Sequence, residues 1–179
     1  LAERTLAVAR RVRERFSAYV HIGVGGSDLG ARVCHEVLNH TLYNELPDNQ
    51  RGAPRVYFAG DTFDPRPLRE LLNLLKAQGH LPSTVFNVVS KSGKTPETLC
   101  SLLAIKERLG KDWEQQTILT TGERPGDSIL FDLAAGSRDR FLGILPVPEG
   151  VGGRFSVASP VGLLPLAVSA GPQETPDQR

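Results

Sequence analysis

The sequence contains no methionine, one tryptophan and two cysteines in 179 residues. It also lacks an excess charge of either sign, with 21 Lys and Arg against 20 Asp and Glu. That balance gives no case for nucleic acid or an acidic membrane surface as a partner. No apolar run is long enough to span a bilayer, and nothing at the N-terminus reads as a secretory signal. The expected location is the cytoplasm. Cys34 and Cys100 each fall inside a predicted helix with apolar neighbours, and are expected to be reduced core thiols. The four histidines (His21, His35, His40, His80) keep no metal-ligand spacing, so neither a metal site nor a cofactor is expected. A chain that starts at Leu1 without any methionine is expected to be a piece of a longer product.

What is present organises as one domain, long enough to bury a core. Residues 1–18 form an N-terminal helix, with Leu6, Ala9, Val12 and Phe16 at helical spacing and Arg4, Arg10, Arg11, Arg13 and Arg15 on a solvated face. From there to residue 170 strands and helices alternate. Strands are predicted at Tyr19 to Ile22, Arg55 to Ala59, Thr84 to Val89, Gln116 to Thr121 and Phe141 to Pro146. Helices are predicted at Asp28 to Asn39, Pro65 to Ala77, Thr95 to Leu109, Asp127 to Ala135 and Val161 to Ala170, with a polar loop at Asn44 to Pro54. Residues 171–179, polar with two prolines, read as a disordered tail. Alternation of this kind predicts an α/β fold in three layers, a five-stranded parallel sheet between helices in the Rossmann manner. Ligands of such sheets sit beyond the carboxyl ends of the strands, which directs attention to three loops.

The first loop is GVGGSDLG, Gly23 to Gly30. A dinucleotide fingerprint would place a glycine where Asp28 stands, and a phosphate-binding loop of the Walker type would continue Gly-Lys from Gly30, where Ala31 stands. A tight strand-to-helix turn capped by Ser27 is the plainer reading. The second is SKSGKTPET, residues 90–98, where Ser90, Ser92 and Thr95 offer hydroxyls and Lys91 and Lys94 add charge at a helix start. Helix N-termini favour anions. Capping by Thr95 would explain one hydroxyl but not the whole cluster. The third is EGVGGRFSVASPVGLLP, Glu149 to Pro165, where Gly152 and Gly153 precede Arg154, an arginine that a tight corner could aim at developing negative charge.

Taken together, IGVGGSDLG, VVSKSGKTPET and GVGGRFSVASPVGLLPLA resemble the sugar-binding segments of the phosphoglucose isomerase family, in that family's order, and the likeness spans Tyr19 to Val168. The resemblance implies the sugar isomerase (SIS) fold. It also implies interconversion of glucose 6-phosphate and fructose 6-phosphate through a cis-enediol, a place in glycolysis and gluconeogenesis, and a homodimer. Residue by residue, it assigns phosphate binding to Ser90, Lys91, Ser92 and Thr95, and the sugar to Gly26 and Ser27. Arg154 becomes the catalytic cation beside the C1–C2 bond. Lys94 stands where the family has a small or hydroxyl residue. The family's base glutamate, ring-opening histidine and lysine lie beyond the Gly-Gly-Arg segment, mostly in a second SIS domain. These 179 residues are therefore expected to bind a sugar phosphate with little or no turnover. A non-catalytic phosphosugar-sensing module is the alternative. Nucleotide binding, resting on Gly23, Gly25 and Gly26, is a third reading and would predict stabilisation by NAD. Glu97 and Glu149 lie near the proposed pocket in sequence, but neither is favoured as the base, since Glu97 has a simpler role at its helix N-terminus.

Overall fold

The computed structural model describes residues 1–170; the expected tail, 171–179, lies outside the described residues. Along the chain run α1 (Ala2–Arg15), β1 (Ala18–Ile22), α2 (Leu29–Leu38), α3 (Asp48–Arg51), β2 (Arg55–Ala59) and α4 (Pro65–Ala77). They are followed by β3 (Thr84–Ser90), α5 (Pro96–Leu109), β4 (Thr117–Thr121), α6 (Ile129–Leu133), β5 (Gly143–Pro146) and α7 (Pro160–Ser169). The five strands form one parallel sheet in the order β2-β1-β3-β4-β5. This is the predicted three-layer α/β architecture.

Side chains alternate across the sheet and build two cores. Val20, Ile22, Phe86, Val88 and Leu119 pack with Leu68, Leu72 and Leu75 of α4 and with Leu102 and Ile105 of α5. On the opposite face, Tyr19, Val85, Ile118 and Leu145 meet Val8, Ala9 and Val12 of α1 and Leu164 and Val168 of α7. Helix α7 lies against both α1 and α2. That position explains why it is apolar round most of its circumference. The edge strand β2 is closed by a side chain. Asn44 accepts a hydrogen bond from the Val56 amide at 2.8 Å and donates one to the Val56 carbonyl at 2.7 Å, as a neighbouring strand would. Arg51, buried, ties the same polar loop together by donating to the carbonyls of Leu46 and Ala53 at 2.6 and 2.7 Å.

Four sequence expectations change. In α1 the buried face is Thr5, Val8, Ala9 and Val12, while Leu6 is exposed. The predicted helix at 127–135 shrinks to five residues, because Ser128 is extended and uses its hydroxyl as the cap, accepting from the Phe131 amide. Ser27 does not cap α2; it ends a 3-10 turn over Gly25–Ser27, and Asp28 takes the cap position. The cysteines are free, but Cys34 is only half-buried and Cys100 is exposed. Helix α5 buries Thr98, Ser101, Leu102 and Ile105, and Cys100 lies off that face.

Candidate functional site

The loops after β1, β3 and β5 all leave the same edge of the sheet. Because β2 lies on one side of β1 and β3 on the other, the crossovers from β1 and β3 depart in opposite directions. A cleft opens at such a switch point, and ligands of α/β sheets occupy it.

Beyond β3, the chain turns at Ser90–Thr95 into α5, whose fourteen residues begin with Pro96. Thr95 makes no capping bond; its hydroxyl lies 3.0 Å from that of Ser90. Two hydroxyls are thus paired in front of the uncapped amides of a helix start. The turn itself is anchored from below. Thr121 donates to the Ser90 carbonyl at 2.6 Å, the Gly122 amide to the Lys91 carbonyl at 3.0 Å, and the Ile129 amide to the Ser92 carbonyl at 3.3 Å. Gly93 sits at φ +62°, and a Cβ there would overlap the Ser128 hydroxyl oxygen. Lys91 reaches across and donates to the Val151 carbonyl at 3.1 Å, so the second loop touches the third.

The first and third loops also meet. Ser156, buried, shares its one hydroxyl hydrogen between the Gly26 carbonyl at 2.9 Å and the Gly153 carbonyl at 2.7 Å. The two backbones are so close that a Cβ on Gly26 would overlap the carbonyl carbon of Gly153. Arg154 follows at once; it is exposed, and its guanidinium has no ion pair or hydrogen bond among the described residues. Asp28 does not face the loop as a free charge. It is buried and paired with Arg32, Nη2 to Oδ2 at 2.9 Å; burial raises its pKa and the Arg32 charge opposes that rise.

The sequence reading missed a buried polar line beneath the first loop. Thr120 donates to Asn87 Oδ1 at 2.7 Å, and Asn87 Nδ2 donates to Tyr19 Oη at 2.8 Å. Tyr19 Oη lies 3.3 Å from His21 Nδ1, and His21 Nε2 lies 2.7 Å from the Ser27 carbonyl oxygen. All four side chains are fully buried. The signal was Asn87, a polar residue inside the run Thr84 to Val89, and it stands opposite His21 in the parallel register.

Of the two carboxylates near the loops, Glu149 is exposed and ion-paired to Arg124 at 2.8 Å. Glu97 lines a groove of about 500 Å³ between α4 and α5, together with Phe63, Arg69 and Cys100. Among the described residues no cluster of His, Cys, Asp or Glu could hold a metal ion, and no helix is long and apolar enough to cross a membrane.

The phosphoglucose isomerase family model matches residues 11–176. This chain belongs to the phosphoglucose isomerase family. It is 41% identical over 165 residues to a glucose-6-phosphate isomerase of Carboxydothermus hydrogenoformans, covering 90% of this chain and 33% of the relative. To the glucose-6-phosphate isomerase of Rubrobacter xylanophilus it is 44% identical over 173 residues, covering 93% and 37%. Among solved structures, a glucose-6-phosphate isomerase from Chlamydia trachomatis superposes with a TM-score of 0.71 at 27% identity, covering 95% of this chain and 29% of that one. A hypothetical protein from Thermus thermophilus gives a TM-score of 0.70 at 35% identity, covering 93% and 37%. The chain therefore spans about a third of the length of these relatives.

Proposed function

We propose that these 179 residues form the sugar-phosphate-binding part of a glucose-6-phosphate isomerase. The phosphate of glucose 6-phosphate or fructose 6-phosphate is held by Ser90, Lys91, Ser92 and Thr95, and the sugar lies along Gly26 and Ser27. Arg154 faces the C1–C2 bond, where its charge stabilises the enediolate formed as a proton moves between those carbons. The observation that carries the reading is the Ser90–Thr95 hydroxyl pair at 3.0 Å before the uncapped start of α5. A threonine that caps its own helix occupies an amide that a phosphate would otherwise use; Thr95 leaves the amides free for phosphate oxygens. Isomerisation in addition needs a carboxylate base. Glu149, tied to Arg124, and Glu97, in the α4–α5 groove, are poor candidates, which favours binding without turnover in this chain. That same observation supports a non-catalytic phosphosugar-binding module as the second reading.

Two measurements test the proposal. Isothermal titration with fructose 6-phosphate should give saturable binding that weakens at least tenfold in the Ser90→Ala, Thr95→Ala double variant, since each lost charged-acceptor hydrogen bond is worth about 1.5–3 kcal/mol. Equal affinity in the double variant would remove the phosphate assignment. A coupled assay for glucose 6-phosphate conversion should show little or no turnover. Turnover that disappears in Arg154→Ala would instead establish that a base lies within these residues.

A further inference from the structure

We infer that His21 is a positioning residue for the sugar-binding loop, held in a single tautomer between the Ser27 carbonyl and the Tyr19–Asn87–Thr120 line, and that it sets the 3-10 turn Gly25–Ser27. The inference rests on the functional reading above for its effect on ligand, but not for the hydrogen-bond order itself.

The direction of the line is forced from one end. The Ser27 carbonyl oxygen has no proton to give, so His21 Nε2 must carry the hydrogen of the 2.7 Å contact. A neutral imidazole then presents a lone pair at Nδ1, and Tyr19 must donate its hydroxyl proton there. The Tyr19 oxygen is left to accept from Asn87 Nδ2, and Asn87 Oδ1 accepts from Thr120. Each link from Thr120 to Ser27 then has one donor and one acceptor. Burial reinforces the neutral ring, because the charged form is disfavoured there. The line thus connects β4, β3 and β1 to a turn otherwise held from the third loop, by Ser156 at the Gly26 carbonyl; the turn makes no side-chain cap bond, and none of its three residues is buried. Neighbouring contacts crowd the same carbonyl, since a Cβ on Gly23 would stand 2.5 Å from the Ser27 oxygen. Moving that oxygen would move Gly26 and Ser27, the residues assigned to the sugar, relative to Gly153. One ring nitrogen meets a donor and the other an acceptor, so the ring cannot exchange tautomers without leaving a buried group unsatisfied.

The test uses three forms of the 179-residue chain: wild type, His21→Leu, and His21→Gln, whose side-chain amide can still donate to Ser27. Long-range proton–nitrogen NMR of the wild-type ring should show the hydrogen on Nε2; hydrogen on Nδ1 would overturn the inference. Amide exchange at residues 25–28 should quicken at least tenfold in His21→Leu and return towards wild type in His21→Gln, whether or not any sugar binds. Fructose 6-phosphate affinity should follow the same order. Wild type failing to bind fructose 6-phosphate would count against the proposed function alone, and the exchange result would still decide this inference. Unchanged exchange at 25–28 in His21→Leu would overturn it. Should His21→Leu not fold, Tyr19→Phe leaves Nδ1 without its donor; wild-type exchange at residues 25–28 in that variant would overturn it equally.

Discussion

Because the His21 ring is sealed between a hydroxyl and a carbonyl, burial pushes its pKa down to about 4, with the Ser27 bond opposing and the Arg32 charge assisting. Its ordinary value, near 6.5, applies in the unfolded chain. Above that pH neither state binds the proton, and the contribution to stability is complete. Between about 6.5 and 4 the unfolded chain takes up a proton that the folded chain refuses, so stability falls as pH falls. Below about 4 both states are protonated and the loss stops. The full window is worth roughly 3 kcal/mol. His35, buried against Tyr43 and accepting from Asn39, is shifted the same way by burial, with Glu36 opposing. Thermal unfolding between pH 7 and 4.5 should show the wild-type midpoint dropping by several degrees more than that of His21→Leu. Equal slopes for the two proteins would assign the acid sensitivity elsewhere. None of this was legible in the four scattered histidines, since the pairing of His21 with Asn87 depends on strand register and not on spacing along the chain.

The elements themselves were largely readable. Strand β2 and helix α4 fall where alternation and the leucine spacing put them, and β1 and β3 gained one residue each. Two of the misplaced residues, Leu6 in α1 and Cys100 in α5, share a cause. Periodicity names an apolar face without saying which way it points. In α2, Leu29, Val33 and Val37 recur every fourth residue yet are exposed, while His35 and Ala31 of the same helix are buried. Likewise Thr95 has the sequence of a cap, and only the position of Ser90 diverts its hydroxyl. What glycine does in the loops was also half visible. The sequence marks Gly26 as permissive; the close approach of Gly153, well over a hundred residues away, shows what the permission is for. Gly26→Ala should force the two loops apart and weaken fructose 6-phosphate binding at least tenfold, with a smaller loss of global stability. Gly93→Ala combines a left-handed backbone with a clash against Ser128, and should cost about 2 kcal/mol in denaturant unfolding. A neutral Gly93→Ala would mean the turn beyond β3 yields more easily than its hydrogen bonds indicate.

At the scale of the molecule, the exposed stripe of α2 continues to Leu38 and Leu42. An apolar strip of this kind on an otherwise charged surface calls for cover. The self-association expected from the family resemblance would supply it. Size-exclusion chromatography should show concentration-dependent association, abolished in a Val33→Asp, Val37→Asp variant that keeps its circular dichroism. A clean monomer for wild type at high concentration would sink this prediction. The route of any such assembly is already narrowed by the two margins of the sheet. On one margin Asn44 occupies the Val56 amide and carbonyl; on the other, β5 is four residues long and ends at Pro146, with the Ile144 carbonyl receiving a bond from Arg4 at 3.1 Å. A proline has no amide hydrogen to offer, and a margin already bonded to side chains gives an incoming ribbon little to zip onto. Copies of this protein would therefore stack helix against helix, and its resistance to fibrous, strand-by-strand aggregation would depend on one asparagine. Replacing Asn44 with alanine is the change that would reopen the way.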